Sequence, residues 1–192
     1  MGLAAKLEIE RYTYGDYLLW PDSERWEIID GVAYNMSPAP SPRHQQILGE
    51  LHRQLSNYLL DKTCDVYMAP FDVRFREAGE KEEEIDTMVQ PDIAIICDPA
   101  KIDKRGCLGS PDLIIEIVSP ATAQRDMREK FYTYEKFGAK EYWIFHPDDQ
   151  ILMVFKLLSN QMYGRPDIYS PKDRIKVGIL PGLTIDLVSV FK

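Results

Sequence analysis

The chain has 192 residues, 45% of them hydrophobic and 28% charged, with a formal net charge of −8. This length and composition suit one globular domain whose core needs no staples, and a single domain over residues 1–192 is expected. The acidic balance excludes a simple nucleic-acid-coating protein, which needs an excess of Lys and Arg for phosphate contacts; it still permits an enzyme that grips nucleic acid at one local patch.

Three cysteines, Cys64, Cys97 and Cys107, form no C-x-x-C pair. They are too few and too scattered for a disulfide framework or a structural zinc site, and their odd number fits a reducing compartment. The segment Met1 to Lys6 lacks the apolar run of a signal peptide, and no stretch approaches the roughly 20 apolar residues that span a bilayer. A cytoplasmic protein without membrane association is expected.

In chain order, Thr13 is a candidate N-cap for a short helix. Two β-prone runs then flank Asp30-Gly31, a strong hairpin signal. The proline-rich stretch 37–42 reads as a rigid loop, and Ser41-Pro42 opens a helix with proline at its first position. That helix carries Ile47, Leu48, Leu51, Leu55, Tyr58 and Leu59 at a period near 3.6. Strands are expected over Val66 to Phe75, Val89 to Cys97 and Pro111 to Ser119; the last is a nearly continuous apolar run, as in a strand buried on both faces. The charge run 79–86 between them reads as a solvated loop. A helix from about Thr122 to Phe137, closed by Gly138, precedes a strand over Glu141 to Phe145. Further strands and turns are expected over Gln150 to Lys156, Gln161 to Ile168 and Arg174 to Phe191. A helix crossing between two strand runs implies at least one parallel pair, so the fold class is α/β, a mixed sheet flanked by helices with additional β-hairpins.

The informative residues are charges where the pattern demands oil. Glu116 interrupts Leu113-Ile-Ile-Glu-Ile-Val, and a carboxylate there costs several kcal/mol unless paired or metal-bound. Asp92 follows Pro91 at a strand mouth, 24 positions before Glu116. Adjacent strands lie roughly 5 Å apart, so both carboxylates can reach one divalent ion. Lys130 falls on the inward stripe formed with Met127, Phe131, Tyr134 and Phe137 and points at the sheet. His44 stands on the inward side of its helix, where it can position a phosphate or carry a proton. Glu27, in the first hairpin strand, is the fifth candidate.

Each has a plainer structural reading. Glu116 and Lys130 can form a salt bridge and nothing more, Asp92 can cap a turn, and Lys130 can snorkel outward. His44 can be a satisfied helix-start residue, and the simpler reading of Glu27 is a surface strand residue. Asp112 reads as a loop end, and Asp126 as the helical i−4 partner of Lys130 rather than a ligand. Two carboxylates and a lysine together suit phosphodiester hydrolysis assisted by Mg²⁺, with Mn²⁺ as a substitute. A glycosidase would need its acids spaced across an open cleft, against which the buried strand context argues.

At these residues the sequence resembles the PD-(D/E)XK nuclease superfamily. More closely it resembles the Uma family of restriction-endonuclease-like proteins, abundant in cyanobacteria. The matching stretches include Trp26-Glu-Ile-Ile-Asp-Gly, Val89-Gln-Pro-Asp-Ile, Pro111-Asp-Leu-Ile-Ile-Glu-Ile-Val-Ser-Pro and Asp126-Met-Arg-Glu-Lys-Phe-Tyr-Thr-Tyr, and they run through nearly the whole chain in order. The resemblance implies a restriction-endonuclease-like core, Asp92 and Glu116 as the metal-holding acids, and no organic cofactor. The lysine expected two residues after the glutamate falls on Val118; the resemblance implies that Lys130, on the next helix, takes its place. His146 stands where relatives carry an acid, a peripheral position. The expected function is a Mg²⁺-dependent endonuclease acting on DNA, as a homodimer since cutting two antiparallel strands calls for two sites about a two-fold axis. The alternative is an inactive nuclease-fold binding or scaffold protein.

Overall fold

The computed structural model describes residues 10–21, 23–36 and 39–192. The reading of Met1 to Lys6, and that of positions 37 and 38 in the proline-rich loop, lie outside the described residues. The mixed α/β architecture is as expected.

A central sheet runs in the order β12 (Asp167–Tyr169), β11 (Ile151–Lys156), β10 (Glu141–His146), β9 (Leu113–Ile117), β6 (Ile93–Ile96), β3 (Asp65–Met68). Strands β9 and β10 are parallel and the other neighbours antiparallel. The helix crossing between β9 and β10 supplies the parallel pair that the strand–helix–strand pattern requires. A second sheet has the order β2 (Val32–Asn35), β1 (Trp26–Ile29), β5 (Met88–Val89), β4 (Val73–Arg74), β8 (Gly106–Leu108), β7 (Ile102–Asp103). The hairpin turn between β1 and β2 places Asp30 and Gly31 at φ 47° and 75°, the paired positive angles of a type I′ turn.

Two expected long strands are each divided between the sheets. Val66 to Phe75 leaves the central sheet after Met68 and enters the second at Val73. Val89 to Cys97 does the reverse, leaving the second sheet after Val89 and entering the central one at Ile93. Pro70 and Pro91 stand at these crossings, where a missing N–H costs the ladder nothing. Asp92 therefore occupies a corner between two sheets.

Side-chain alternation along β6 and β9 sorts the core into two layers. Ile93, Ile95, Ile115 and Ile117 pack against Ile47, Leu51 and Leu55 of the long helix α2 (Pro42–Leu59) and against the carboxy-terminal hairpin β13 (Arg174–Lys176) and β14 (Thr184–Asp186). Ala94, Ile96 and Ile114 face the other way, toward Val73, Val89 and Tyr134. Glu116 shares that second face, so its carboxylate enters the layer between the sheet and the 123–136 helix.

Several readings need correction. The 123–136 helix is not one α-helix: α-helical turns at Ala123–Arg125 and Phe131–Lys136 flank a π-helical turn at Asp126–Lys130. The wider turn shifts the helix face, so Met127 is 45% exposed while Asp126 is buried. The charge run 79–86 is not wholly solvated, because Glu82 pairs with the buried Arg74 and with Arg105. The cysteines are less scattered than their numbers suggest. The pairing of Asp65 with Ile96 puts Cys64 directly across from Cys97, and the two are joined in a disulfide; Cys107 is free and buried. Asp112 is a buried anchor, accepting from the Cys97 amide and from Lys140. Among the described residues, no helix is long and apolar enough to cross a membrane.

Candidate active site

The register of the central sheet brings the two acids together. Ile93 pairs with Ile115, so Asp92, one residue before, stands opposite Glu116 on the same face. The Asp92 amide lies 3.4 Å from Glu116 Oε2. Asp92 Oδ2 accepts from the Ile117 amide at 2.8 Å and faces His44 Nε2 at 3.1 Å. His44 reaches it because Ser41 caps α2 and Pro42 starts it, which aims the first turn of the helix over the corner.

Lys130 descends on Glu116 from the opposite layer. Its Nζ is 2.9 Å from Glu116 Oε1, 2.7 Å from Glu27 Oε1 and 3.5 Å from Asp126 Oδ1. Because the π turn carries five residues, it points Asp126 and Lys130 inward together; such turns recur at functional sites. Tyr134, one turn on, donates its hydroxyl to Glu116 Oε1 at 2.8 Å.

Glu27 is not a surface residue: it is 1% exposed. The simpler reading as a surface strand residue fails because Lys130 and Arg125 cover its carboxylate. The Gln90 amide also donates to Glu27 Oε1 at 2.9 Å. All five residues singled out from the sequence thus meet in one region, and all line a single cleft of about 620 Å³. Three supporting residues were missed. Arg125 and Gln90 gave no signal, since a helix-surface arginine and a strand-end glutamine look ordinary. Tyr134 was read as a core residue, although a buried tyrosine needs a partner for its hydroxyl.

The electrostatics follow from burial. Four acids, Glu27, Asp92, Glu116 and Asp126, face two permanent cations, Lys130 and Arg125. Burial pushes the Glu116 carboxyl well above the usual carboxylate range; Asp126, Asp92 and Glu27 add to this and Lys130 opposes it. Burial likewise raises Asp126 against the pull of Lys130. For Lys130 burial acts to strip the proton, but Glu116, Glu27 and Asp126 outweigh it and hold the ammonium well above its ordinary range.

Among the described residues, no group of three or more His, Cys, Asp or Glu side chains is arranged as a metal cage. A magnesium ion does not require one: it keeps several waters and takes one or two carboxylates plus substrate phosphates. Asp92 and Glu116 supply such a pair, and an excess of acids over cations is the environment a divalent ion would relieve. Hard carboxylate oxygens suit Mg²⁺ or Mn²⁺ rather than a softer metal.

The family profile described as "Putative restriction endonuclease", Uma2, matches residues 14–188. The chain belongs to the Uma2 family. Its fold is shared with the crystal structure titled as a putative nuclease belonging to DUF820 from Anabaena variabilis ATCC 29413. The match has a TM-score of 0.74 and 20% identity, covering 93% of this chain and 97% of that one. The chain is also 26% identical, over 121 residues, to the uncharacterized protein slr1290 of Synechocystis sp. (strain ATCC 27184 / PCC 6803 / Kazusa); the match covers 62% of this chain and 60% of that relative's length. In this Uma2 member Val118, two residues after Glu116, is a buried apolar residue in the wall of the same cleft, and the Lys130 ammonium reaches Glu116 from the crossover helix.

Proposed function

We propose that this Uma2 protein is a metal-dependent endonuclease that hydrolyses DNA phosphodiester bonds, with Asp92 and Glu116 holding Mg²⁺ or Mn²⁺. One observation carries the reading: carboxylates from neighbouring strands and a buried ammonium from a third element converge at the wall of one cleft.

A bound divalent ion would neutralise charge on the scissile phosphate and acidify a coordinated water. The chain's own residues do the rest. The Ile117 amide and His44 fix the Asp92 carboxylate, so its orientation does not have to be set when substrate arrives. Lys130, held by Glu27 and Glu116, keeps a positive charge beside the acids, where it stabilises the extra negative charge of the pentavalent transition state or orients the attacking water. Glu27 and Asp126 act as positioning residues for that ammonium. His44, at the cleft wall, is placed to hold a neighbouring phosphate or to pass a proton.

Nicking of supercoiled plasmid tests the reading. Wild type is expected to nick with Mg²⁺ or Mn²⁺ and to stop in a chelator, while Asp92→Ala lowers the rate by about a thousand-fold or more, the scale of losing a preorganised catalytic contact. Equal cutting by wild type and variant would assign the activity elsewhere.

A second reading, a nuclease-fold protein that binds without cutting, is favoured by the three carboxylates that tie down Lys130 and by the net charge of −8. It predicts that DNA is bound but never nicked. A homodimer is part of the proposal, since paired cuts on antiparallel strands need two sites related by a two-fold axis. Size-exclusion chromatography with light scattering should give twice the 22.2 kDa chain mass; a single-chain mass at micromolar concentration rejects it.

A further inference from the structure

We propose that a second cavity, adjoining the catalytic cleft, is a subsite for one unpaired nucleobase of the strand being cut. The inference rests on the endonuclease reading above and gives that site a place for a base.

The cavity has room for about 650 Å³, and Arg25 and Gln90 line both it and the catalytic cleft. Aromatic and charged side chains share its wall. The Tyr67 and Phe71 rings lie parallel with centroids 4.4 Å apart, and Tyr17 meets Trp20 edge to face at 5.8 Å. Tyr67, Phe71 and Trp20 are half buried and line the cavity: Tyr67 and Phe71 cover one face of each other, and Tyr12, Tyr17 and Trp26 pack on Trp20. Every base has a π face, and stacking on aromatic side chains holds single-stranded nucleotides with little regard to sequence. A base inside an intact duplex cannot use such a cavity, because its faces are already covered; it must be unpaired or turned out of the stack.

The polar groups match a base with a phosphate rather than a plain apolar ligand. The Asp72 carboxylate lies in the wall, accepting from Tyr14 Oη at 3.2 Å and from Gln90 Nε2 at 2.8 Å. Each oxygen has a further lone pair for the N–H of a base edge. Three acids, Glu24, Asp72 and Asp103, stand with three cations, Arg25, Lys104 and Arg105, in the lining, so charge alone gives a small anion no preference for it. At the rim, Lys104 is exposed and forms no ion pair among the described residues, leaving it available to a backbone phosphate.

Gln90 joins the two spaces. Its Nε2 donates to Asp72, its Oε1 accepts from Arg25 at 2.7 and 3.0 Å, and its backbone amide donates to Glu27, which holds Lys130. Gln90 therefore links the second cavity to the Lys130 ammonium, through its side chain on one side and its backbone amide on the other. This polar path is the physical reason for assigning both spaces to one substrate strand.

The test titrates a short single-stranded DNA oligonucleotide, the same strand with one abasic position, and the matching duplex into the full chain, with a chelator present to prevent cutting. The single strand should bind about ten-fold more tightly than the duplex and quench tryptophan fluorescence, a quench lost in Trp20→Phe. Phe71→Leu should weaken single-strand binding about ten-fold, the scale of one lost stacking contact. In cutting assays it should raise KM and leave kcat within about two-fold. Lys104→Glu, at an exposed position that cannot disturb the core, should also weaken binding. An abasic position at the subsite should remove the difference between wild type and Phe71→Leu. No binding by wild type, or equal affinity in wild type, Phe71→Leu and Lys104→Glu, overturns the subsite. Base-dependent binding without Mg²⁺-dependent nicking would sink the endonuclease reading and leave the subsite standing; nicking without base-dependent binding would do the reverse.

Discussion

Replacing Lys130 with methionine should abolish metal-dependent nicking and lower the stability of the metal-free protein by about 3 kcal/mol. The side chain is 3% exposed, and its ammonium is shared by Glu116, Glu27 and Asp126. Methionine fills the same volume, so packing is largely preserved and the loss is electrostatic: Glu116 and Asp126 are left without a cation and Glu27 keeps only Arg125. The penalty depends on pH in a definite direction. Glu116 and Asp126 already have raised carboxyl pKa values, so the folded state binds more protons than the unfolded state above the ordinary carboxylate range. Stability contributed by the protonated acids is therefore lost as pH rises from the unfolded values through the folded ones. Without Lys130 these values rise further, and the variant should be close to wild type in acid and fall away toward neutral pH. Thermal melts across pH measure this; a penalty that stays flat or shrinks with rising pH would mean that the ammonium does not compensate the acids.

The second large effect is expected at Glu116. In the absence of metal, Glu116→Gln should stabilise the protein by about 1 kcal/mol, because it removes a desolvated charge from an acid-rich cluster, the usual trade between activity and stability at a functional site. Lys130 keeps Glu27 and Asp126 as partners in this variant. Saturating Mg²⁺ should reverse the order. Wild type should gain about 2.7 kcal/mol at a metal concentration of a hundred times Kd, and the variant little. Differential scanning calorimetry with and without Mg²⁺ provides the readout. If metal stabilises both proteins equally, Glu116 is not a ligand. If Glu116→Gln is destabilised without metal, the carboxylate serves as a structural half of the Lys130 pair.

Glu116 announced itself because a carboxylate inside an apolar β-strand has one of few explanations, and its surroundings are as buried as that argument required. Lys130 stands out for the same reason on a helical stripe, yet Met127 on that stripe faces outward. A period of 3.6 cannot register a π turn, which adds a residue without any compositional mark. Glu27 carries no mark of burial, because a single strand does not reveal which face another element will cover. Gln90 was invisible as a functional residue, since a glutamine at a strand end gains meaning only from what surrounds it.

By itself the sequence determined the α/β class, the hairpin at Asp30-Gly31, the capped start of α2 at Ser41-Pro42, and which buried acids and lysine are the candidates for a site. These depend on local backbone preferences and on the cost of burying a charge, both of which act over a few residues. The tertiary structure alone decided that β-prone runs divide between two sheets at Pro70 and Pro91, that Cys64 lies across from Cys97, that Glu27 is buried, and that a second cavity adjoins the cleft. Each depends on which distant segment arrives at a given face. That choice is made by the packing of whole layers, through interactions between residues far apart in the chain that no short window of sequence contains.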